Sequence, residues 1–288
     1  MTSSAVAPAP HLLVVGIDGV RFDSLQAADT PALSSLATAG ILLPVQVHEK
    51  NPTISGPVWS TVATGVHMDR HQVTGNGPQH KEASGPLPTR HPDFLARIGA
   101  ARPEAATMVA VSWFPLAADY ECGPIFSGPS WLPSINPDFS DDHAAAWIQV
   151  DDEVADYATE RLATEDLAVS FVYFGEVDEY AHRDGTDAGY QAAIERCDAR
   201  LARLLEVVRG KVEHGEDWTV IVVTDHGHIE GGGHGGDSPA ERTAWIAAAG
   251  AGIDSSLTGL LQADIPAHAL HLFGLPHTDL DGVPFGHR

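Results

Sequence analysis

The sequence predicts an α/β protein with helices on both faces of a mostly parallel sheet. Four apolar runs rich in β-branched residues have the length and composition of buried parallel strands, and they cover residues 12–17, 106–111, 168–174 and 219–223. Polar or glycine-containing residues follow each run, and segments with helical patterns lie between the runs. Strands that alternate with helices in this way are typical of a three-layer α/β sandwich.

Two of the intervening helices have clear start and stop signals. Thr30 and Pro31 favour the start of a helix that Gly40 ends. A second helix is predicted over residues 187–208, and Gly210 is expected to end it. These helices would supply the outer layers of the sandwich.

The 288 residues are predicted to form one domain. They suffice for one large core, and the contents of 43% hydrophobic and 19% charged residues are ordinary for a globular protein. Residues 75–142 differ from the rest because they are rich in Pro, Gly and Ser. We expect an irregular insert or lid there, because long loops in compact proteins usually cover or form a binding site; an ordinary irregular connection is the alternative.

The composition limits which binding partners and which cellular compartment are expected for this protein. The chain has 39 acidic and 16 basic side chains, so its net charge of −23 would repel a nucleic acid and attract cations. Cys122 and Cys197 form no Cys-x-x-Cys pair, so neither a thiolate zinc site nor a disulfide framework is predicted. Residues 1–10 lack the pattern of a secretion signal, and no stretch reaches the ~18 apolar residues of a membrane span. We therefore expect a cytoplasmic protein that acts without a membrane or a nucleic acid. Its oligomeric state stays open.

Three aspartates stand just after predicted strands. Asp18 follows the first strand, Asp178 the third and Asp225 the fourth. A single aspartate in this position is more often a helix cap. Because ligands collect at the carboxyl ends of parallel strands, three such carboxylates together favour one shared site at that edge of the sheet.

Three histidines accompany these aspartates. His182 lies four residues after Asp178, a spacing that puts both side chains on one helical face and suits the capture of one cation. His226 directly follows the last of the three aspartates and can reach the same site if the chain turns there. His234 has glycines on both sides, which lets the backbone bring its imidazole close to an ion; a flexible loop histidine is the alternative.

The candidate nucleophile is Ser55. It precedes an apolar helical pattern over residues 58–64 that Gly65 ends, and Pro57 suits the first helical position. At a helix N-terminus the hydroxyl would lie beside unpaired amides that stabilise a phosphoryl oxygen. A helix cap is the alternative role for Ser55, and Thr53 is the competing hydroxyl.

These residue types favour two-metal chemistry. A divalent cation bound to the serine oxygen would lower the pKa of the hydroxyl, so no separate general base is needed. A second cation, roughly 3.5–4 Å from the first, would hold the leaving oxygen or the attacking water. Zinc accepts carboxylates and neutral imidazoles as ligands, and manganese is the alternative metal. The sequence therefore predicts a phosphate ester hydrolase with two divalent metal ions as cofactors.

The motifs resemble those of the alkaline phosphatase superfamily, especially its nucleotide pyrophosphatase/phosphodiesterase branch. They cover most of the chain and follow the family's order. The matching pieces are Ile17-Asp18-Gly19, Pro52-Thr53-x-Ser55-x-Pro57 leading into Ala63-Thr64-Gly65, Asp178-x-x-x-His182, Asp225-His226-Gly227 and His234-Gly235.

The resemblance implies one catalytic domain with an alkaline phosphatase-like fold, and it assigns roles to seven residues. One ion would be held by Asp178, His182 and His234. The other would be held by Asp18, Ser55, Asp225 and His226. It also implies in-line attack by the serine on phosphorus and a phosphoseryl intermediate that is then hydrolysed. The substrate would be a small phosphate ester, with a nucleotide as one candidate.

The chain also departs from this branch. Ser55 stands where the branch commonly has Thr, and Val58 stands where an Asn helps to hold a phosphate oxygen. That Asn is therefore expected to be missing, with Asn51, Lys50 or an amide at the helix start as its substitute. A sulfatase is the least expected activity because Trp59 stands where that branch has Arg.

A phosphodiesterase or nucleotide pyrophosphatase is accordingly the first functional hypothesis. A phosphomonoesterase or a phosphonate hydrolase of the same superfamily is the alternative within the enzyme class. A catalytically inactive metal-binding protein is the alternative from another class.

Overall fold

A computed structural model describes residues 9–287, except residues 138, 139, 141 and 251. Its seven strands are β1 (Pro10–Ile17), β2 (Ile41–Gln46), β3 (Ala106–Val111), β4 (Ser130–Trp131), β5 (Leu167–Phe174), β6 (Asp217–Val223) and β7 (Thr243–Ala249). They form one sheet in the order β2-β7-β6-β1-β5-β3-β4.

Five neighbouring strands of this sheet run parallel. They are β6, β1, β5, β3 and β4, whereas β7 runs antiparallel to both of its neighbours, β6 and β2. The carboxyl ends of the parallel strands therefore lie at one edge of the sheet. The predicted mostly parallel sheet is confirmed.

Helices cover both faces of the sheet. They are α1 (Phe22–Ala27), α2 (Pro31–Ala39), α3 (Ser55–Thr64), α4 (Met68–His71), α5 (Gln79–Ser84), α6 (Leu87–Arg90), α7 (Phe94–Ala101), α8 (His143–Thr164), α9 (Glu176–Asp184), α10 (Ala188–Glu213), α11 (Pro239–Arg242) and α12 (Asp264–Leu272). Alternate residues of β1 point to opposite faces: Leu12 and Val14 join the core under α3, α7 and α12, and Leu13 and Val15 join the core under α2 and α10. The chain is thus the predicted three-layer α/β sandwich.

The helix predictions are confirmed at α2 and corrected at α10. Thr30 and Gly40 flank α2 as expected. The helix α10 does not end before Gly210 but continues to Glu213, while Asp187 caps its first turn by accepting hydrogen bonds from the amides of Gly189 and Tyr190. A single glycine inside a long helix costs only about 1 kcal/mol relative to alanine, and the packing of this helix on the sheet outweighs that cost.

Three strands were not predicted from the sequence: the two-residue β4, β2 and β7. The strand β7 is rich in alanine rather than in β-branched residues, and β2 contains Pro44. Because β2 is at the edge of the sheet, its proline can be accommodated there. The two strands are held by their pairing with each other and with β6, which a local pattern does not encode.

The segment 75–142 is only partly irregular. It contains α5, α6, α7 and the sheet strands β3 and β4, so much of it belongs to the sandwich. Two of its loops come together, since the Cys122 amide donates to the Asn76 carbonyl at 2.7 Å. Both residues lie close to Gly56 at the start of α3. That part of this segment acts as a lid stays a prediction.

Both cysteines are buried and free. None of the helices in the described ranges combines the length and the apolar character that crossing a membrane requires.

A buried histidine next to α3 should make stability depend on pH. His71 accepts a hydrogen bond from the Val73 amide at 3.0 Å, and its other ring nitrogen lies 3.2 Å from the Thr61 hydroxyl. Burial, followed by repulsion from His91, lowers the pKa of His71 from 6.5 to about 3. The unfolded chain therefore binds this proton more tightly than the folded chain does. The stabilising contribution is present above pH 6.5 and is lost as the pH falls toward 3.

We expect His71→Asn to weaken this acid sensitivity, because the asparagine cannot be protonated and its side-chain oxygen can still accept from the Val73 amide. The loss of unfolding free energy between about pH 7.5 and about pH 5 should shrink by about 2 kcal/mol. Urea denaturation of both proteins at the two pH values measures it. An equal loss in both proteins would contradict the assignment.

Candidate active site

The three predicted aspartates converge at the carboxyl edge of the sheet. Asp18 follows β1, Asp225 follows β6, and Asp178 lies in the first turn of α9 after β5. Because β1 lies between β6 and β5, the three strand ends are neighbours. The carboxylates are 1%, 0% and 6% exposed, respectively. The structure therefore brings together the side chains that the sequence placed at one site.

The first group of side chains consists of Asp178, His182 and His234. His182 Nε2 lies 3.3 Å from Asp178 Oδ2 and 2.9 Å from His234 Nε2. His234 Nε2 lies 3.8 Å from Asp178 Oδ1. One candidate ligand atom from each of the three side chains lies within 4.8 Å of the others, a spacing that allows them to share one cation.

The second group consists of Asp18, Asp225 and His226, with Ser55 beside it. His226 Nε2 lies 3.2 Å from Asp225 Oδ2 and 3.9 Å from Asp18 Oδ1. The Ser55 Oγ lies 3.4 Å from the same imidazole nitrogen. These three ligand residues also offer atoms within 4.8 Å of one another. All seven predicted site residues thus lie in two adjoining groups.

Divalent cations fit this arrangement. Among the described residues, Asp18 Oδ1, Asp178 Oδ1 and Asp225 Oδ2 are buried and have no hydrogen-bond partner. Histidines are the ion-pair partners of these carboxylates, and no Lys or Arg of the described ranges pairs with them. Buried charges without counter-charges are costly, whereas bound cations would neutralise them and occupy the free lone pairs.

The carboxylates repel one another. Burial raises the pKa of Asp18 well above its usual value, and repulsion from Asp225 and Asp178 raises it further. Burial and repulsion from Asp178 raise the pKa of Asp225 to about 7. A bound cation would reverse both effects because it favours the charged carboxylate.

The imidazoles differ in protonation. Burial and repulsion from His234 lower the pKa of His226 well below 6.5, and burial lowers the pKa of His234. Both rings are therefore neutral at pH 7, as metal ligands must be. The hydrogen bond with Asp178 raises the pKa of His182 to about 9, so a cation binding there would displace a proton.

Backbone carbonyls fix the orientation of two of these rings. His226 Nδ1 lies 3.1 Å from the Gly227 carbonyl oxygen, and His234 Nδ1 lies 2.7 Å from the Thr53 carbonyl oxygen. In each neutral ring Nδ1 donates its hydrogen to the carbonyl, which leaves the Nε2 lone pair directed into the site. Metal-binding histidines are commonly oriented in this way.

Ser55 is the first residue of α3 and does not cap it. The cap residue is Ile54, and Pro57 is the third helical residue rather than the first. Some of the backbone amides expected to be free near the serine are engaged or missing. The Gly56 amide donates to Asn76 at 2.8 Å, Pro57 has no N–H group, and the Val58 amide donates to the Ile54 carbonyl. The serine hydroxyl is therefore directed at the histidine and carboxylate groups rather than at the helix backbone.

The competing hydroxyl, that of Thr53, has a structural role. Its Oγ1 donates to the Gly236 carbonyl at 2.9 Å and accepts from the Gly235 amide at 2.9 Å. Since its own carbonyl also accepts from His234, this residue holds the glycine-rich loop in place.

Two aromatic side chains that support the site were missed in the sequence. The Trp59 indole N–H donates to Asp18 Oδ2 at 2.8 Å, and the Tyr173 hydroxyl donates to the same oxygen at 2.5 Å. Both side chains are buried. The available signal was that a buried Trp or Tyr usually needs a partner for its polar atom.

Asn76 is a third residue that the sequence did not single out, and it puts an asparagine side chain next to the start of α3. Its side-chain oxygen accepts the Gly56 amide, which places the side-chain amide one residue from Ser55. Asn51 is engaged elsewhere, with Thr61 and the Met68 amide at 2.9 Å each. Lys50 pairs with Asp69 at the surface. Both candidate substitutes named from the sequence thus have other partners.

The sandwich and the two Asp/His groups beside a serine define the chain as a member of the alkaline phosphatase superfamily. Residues 12–238 match the family described as type I phosphodiesterase / nucleotide pyrophosphatase. The chain belongs to this family.

Individual relatives are distant. GPI ethanolamine phosphate transferase 2 from Aspergillus fumigatus is 23% identical over 234 residues, which cover 80% of this chain but only 29% of that protein. The chain thus spans less than a third of the length of that curated relative.

The similarity to solved structures extends over nearly the whole chain. Human ectonucleotide pyrophosphatase / phosphodiesterase 5 superimposes with a TM-score of 0.65 at 15% identity, over 94% of this chain and 97% of that one. A phosphonate monoester hydrolase of Agrobacterium radiobacter superimposes with a TM-score of 0.67 at 17% identity, over 96% and 76%. These similarities establish the fold.

Proposed function

We propose that the protein hydrolyses small phosphate esters, with phosphodiesters or nucleotide pyrophosphates as the first substrate class and Ser55 as nucleophile. One observation carries the proposal. The Ser55 oxygen lies 3.4 Å from His226 Nε2, at the edge of two adjoining Asp/His groups whose buried carboxylates have no Lys or Arg partner in the described ranges. Nucleophilic attack on a phosphate ester needs an activated hydroxyl and neutralisation of phosphate charge at this kind of site.

The site residues form two sets, and each set would bind one divalent cation. Asp178, His182 and His234 would hold one ion, and Asp18, Asp225, His226 and Ser55 the other. When bound, divalent cations such as zinc or manganese would lower the pKa of the serine hydroxyl and neutralise charge on the transferred phosphoryl group. Trp59 and Tyr173 hold one oxygen of Asp18, so the other oxygen stays directed into the site.

The reaction then follows from the position of Ser55. The Ser55 hydroxyl gives its proton to solvent and its oxygen attacks phosphorus in line with the ester bond; that bond breaks, and the leaving oxygen keeps the electron pair and takes a proton from solvent where it departs as an alcohol. Water next attacks the phosphoseryl phosphorus from the vacated side, the bond to Ser55 breaks, and the serine oxygen recovers a proton. Asn76 would donate its side-chain N–H to a non-bridging phosphate oxygen in both steps.

The family and the neighbours guide the choice of substrates for testing. The murine ectonucleotide pyrophosphatase / phosphodiesterase 5 was solved in complex with AMP, so nucleotide esters are included. The phosphonate hydrolase neighbour and the ethanolamine phosphate transferase relative add phosphonates and ethanolamine phosphate esters.

A substrate screen tests the proposal. The zinc-loaded and manganese-loaded protein would be assayed with a nitrophenyl phosphodiester, dinucleotide pyrophosphates, an ethanolamine phosphate ester, a nitrophenyl monoester and a phosphonate ester. We expect the highest kcat/KM on a diester or a pyrophosphate. Preference for the monoester or the phosphonate would move the protein to the alternative hydrolase classes, and no turnover of any of them would favour an inactive metal-binding protein.

Asn76 supplies a more specific prediction. Asn76→Asp keeps the oxygen that accepts the Gly56 amide but replaces the N–H donor by a negative oxygen, so kcat/KM should fall by about 10²-fold, in the range found when one transition-state donor is lost. Metal content, measured by atomic emission, should not change. If the only role of Asn76 were to hold α3, this variant would keep its activity.

A further inference from the structure

We propose that His228 is an additional ligand of the cation that Asp178 holds, a role that neither the motifs nor the seven-residue set assigns to it. The proposal rests on the proposed function, because it assumes that divalent cations occupy the site. The observation behind it is that the buried His228 imidazole places its Nε2 2.8 Å from Asp178 Oδ1 while a backbone carbonyl lies at its other ring nitrogen.

The first step is the orientation of the ring. His228 Nδ1 lies 3.0 Å from the Gly232 carbonyl oxygen, which can only accept a hydrogen bond. His226 and His234 are oriented in the same way, each by a backbone carbonyl at Nδ1. The three rings therefore share one orientation, with Nδ1 toward a backbone carbonyl and Nε2 toward the site.

The second step is what this lone pair faces. His228 is 0% exposed, and among the described residues its Nε2 and Asp178 Oδ1 have no hydrogen-bond partner other than each other. Two lone-pair atoms 2.8 Å apart repel each other unless a proton on one of them or a neighbouring cation supplies a positive charge. A cation already bound to Asp178 supplies that charge.

The third step is the position of the ring among the other ligands. The ring centroid of His228 lies 5.4 Å from that of His182, 5.2 Å from that of His234 and 5.7 Å from that of His226. Ligand atoms of Asp178, His226 and His228 lie within 4.8 Å of one another. The side chain is thus inside the cation site and not behind it.

Gly19 makes this close approach possible. A Cβ atom at this position would lie 2.5 Å from both Asp178 Oδ1 and His228 Nε2, and the backbone there has φ of +65°. The glycine of the Asp18-Gly19 pair therefore leaves the space that the two ligand atoms occupy.

A competing role is that His228, carrying a proton on each nitrogen, only positions Asp178 by donating to it. A direct measurement separates the two roles. In the cobalt-loaded protein, proton NMR detects strongly shifted, exchangeable N–H signals from imidazoles bound to the metal. We expect His228→Asn, whose side chain can still reach the Gly232 carbonyl, to lack one of these signals and to bind cobalt about 10- to 100-fold more weakly.

His228→Gln and His268→Asn are the matched variants. Glutamine can place an N–H donor near Asp178. If His228 only positions Asp178, His228→Gln should therefore bind cobalt as tightly as the wild type and keep every shifted signal. If His228 is a ligand, one shifted signal should stay missing. His268 is a buried histidine on α12, outside the two ligand groups, and its replacement should leave every shifted signal in place.

The outcomes separate the two proposals. If the wild-type protein binds two cobalt ions and His228→Asn keeps all of the shifted signals, the ligand role of His228 is overturned and the proposed function stands. If the wild-type protein binds no cobalt and hydrolyses none of the esters, both proposals fail. Should His228→Asn not fold, the spectrum of His228→Gln gives the same decision.

Discussion

Ser55→Ala is expected to lower kcat/KM for every accepted substrate by on the order of 10⁴-fold or more, because the variant has no oxygen to form the phosphoseryl bond. Most of the proposed ligand set would remain, since Asp18, Asp225 and His226 would still surround the neighbouring cation. The metal content should therefore stay close to two ions per chain. Steady-state assays combined with atomic emission measure both quantities.

The controls for this substitution use the neighbouring hydroxyls. Ser55→Thr keeps a nucleophilic oxygen and should retain part of the activity. Thr53→Val removes a hydroxyl that holds the loop of His234, so we expect a much smaller loss than for Ser55→Ala. If Thr53→Val were inactive while Ser55→Ala kept its activity, the nucleophile would be Thr53.

Removal of divalent metal is expected to abolish hydrolysis, with a loss of about 10³-fold or more, because several kcal/mol of charge stabilisation in the transition state disappear. The melting temperature should fall as well. An ion present at 100 times its Kd stabilises the folded chain by about 2.7 kcal/mol, and chelation removes this contribution. Activity assays and thermal melts before chelation, after chelation and after return of zinc or manganese measure both effects. Full activity in the chelated protein would refute the two-metal proposal.

Asp225→Asn tests the effect of bound metal on thermal stability separately from its effect on activity. Burial and repulsion from Asp178 raise the pKa of Asp225 from 3.8 to about 7, so the metal-free fold loses stability as the pH rises from 3.8 to about 7, and this loss is complete above that range. The asparagine keeps an oxygen for the amides of Gly19 and His226. We expect the metal-free variant to melt at or above the temperature of the metal-free wild type at about pH 8, and the order to reverse when metal is added. Asp254→Asn, at an exposed aspartate, should behave as the wild type in both states.

Strand ends were the informative positions in the sequence. The runs that became β1, β5 and β6 are continuous and apolar because both faces of these strands are covered. Asp18, Asp178 and Asp225 could be selected because each is an acidic residue that follows soon after such an apolar run. The strands β2 and β7 gave no such signal, since alanine and proline do not favour strands and the pairing of β7 with β6 and β2 provides their stability.

The sequence by itself predicted the three-layer sandwich from local periodicity and placed Asp18, Asp178 and Asp225 just after strands. The order of its motifs, through their resemblance to the family, gave the superfamily and the proposed roles of the seven side chains. Only the tertiary structure decided how that set is supported. Trp59 and Tyr173 reach Asp18 across 41 and 155 positions of the chain, and Asn76 reaches the start of α3 across 20. Such contacts form when folding brings distant polar atoms into one buried space, where each must find a partner. No local pattern records which partner that is.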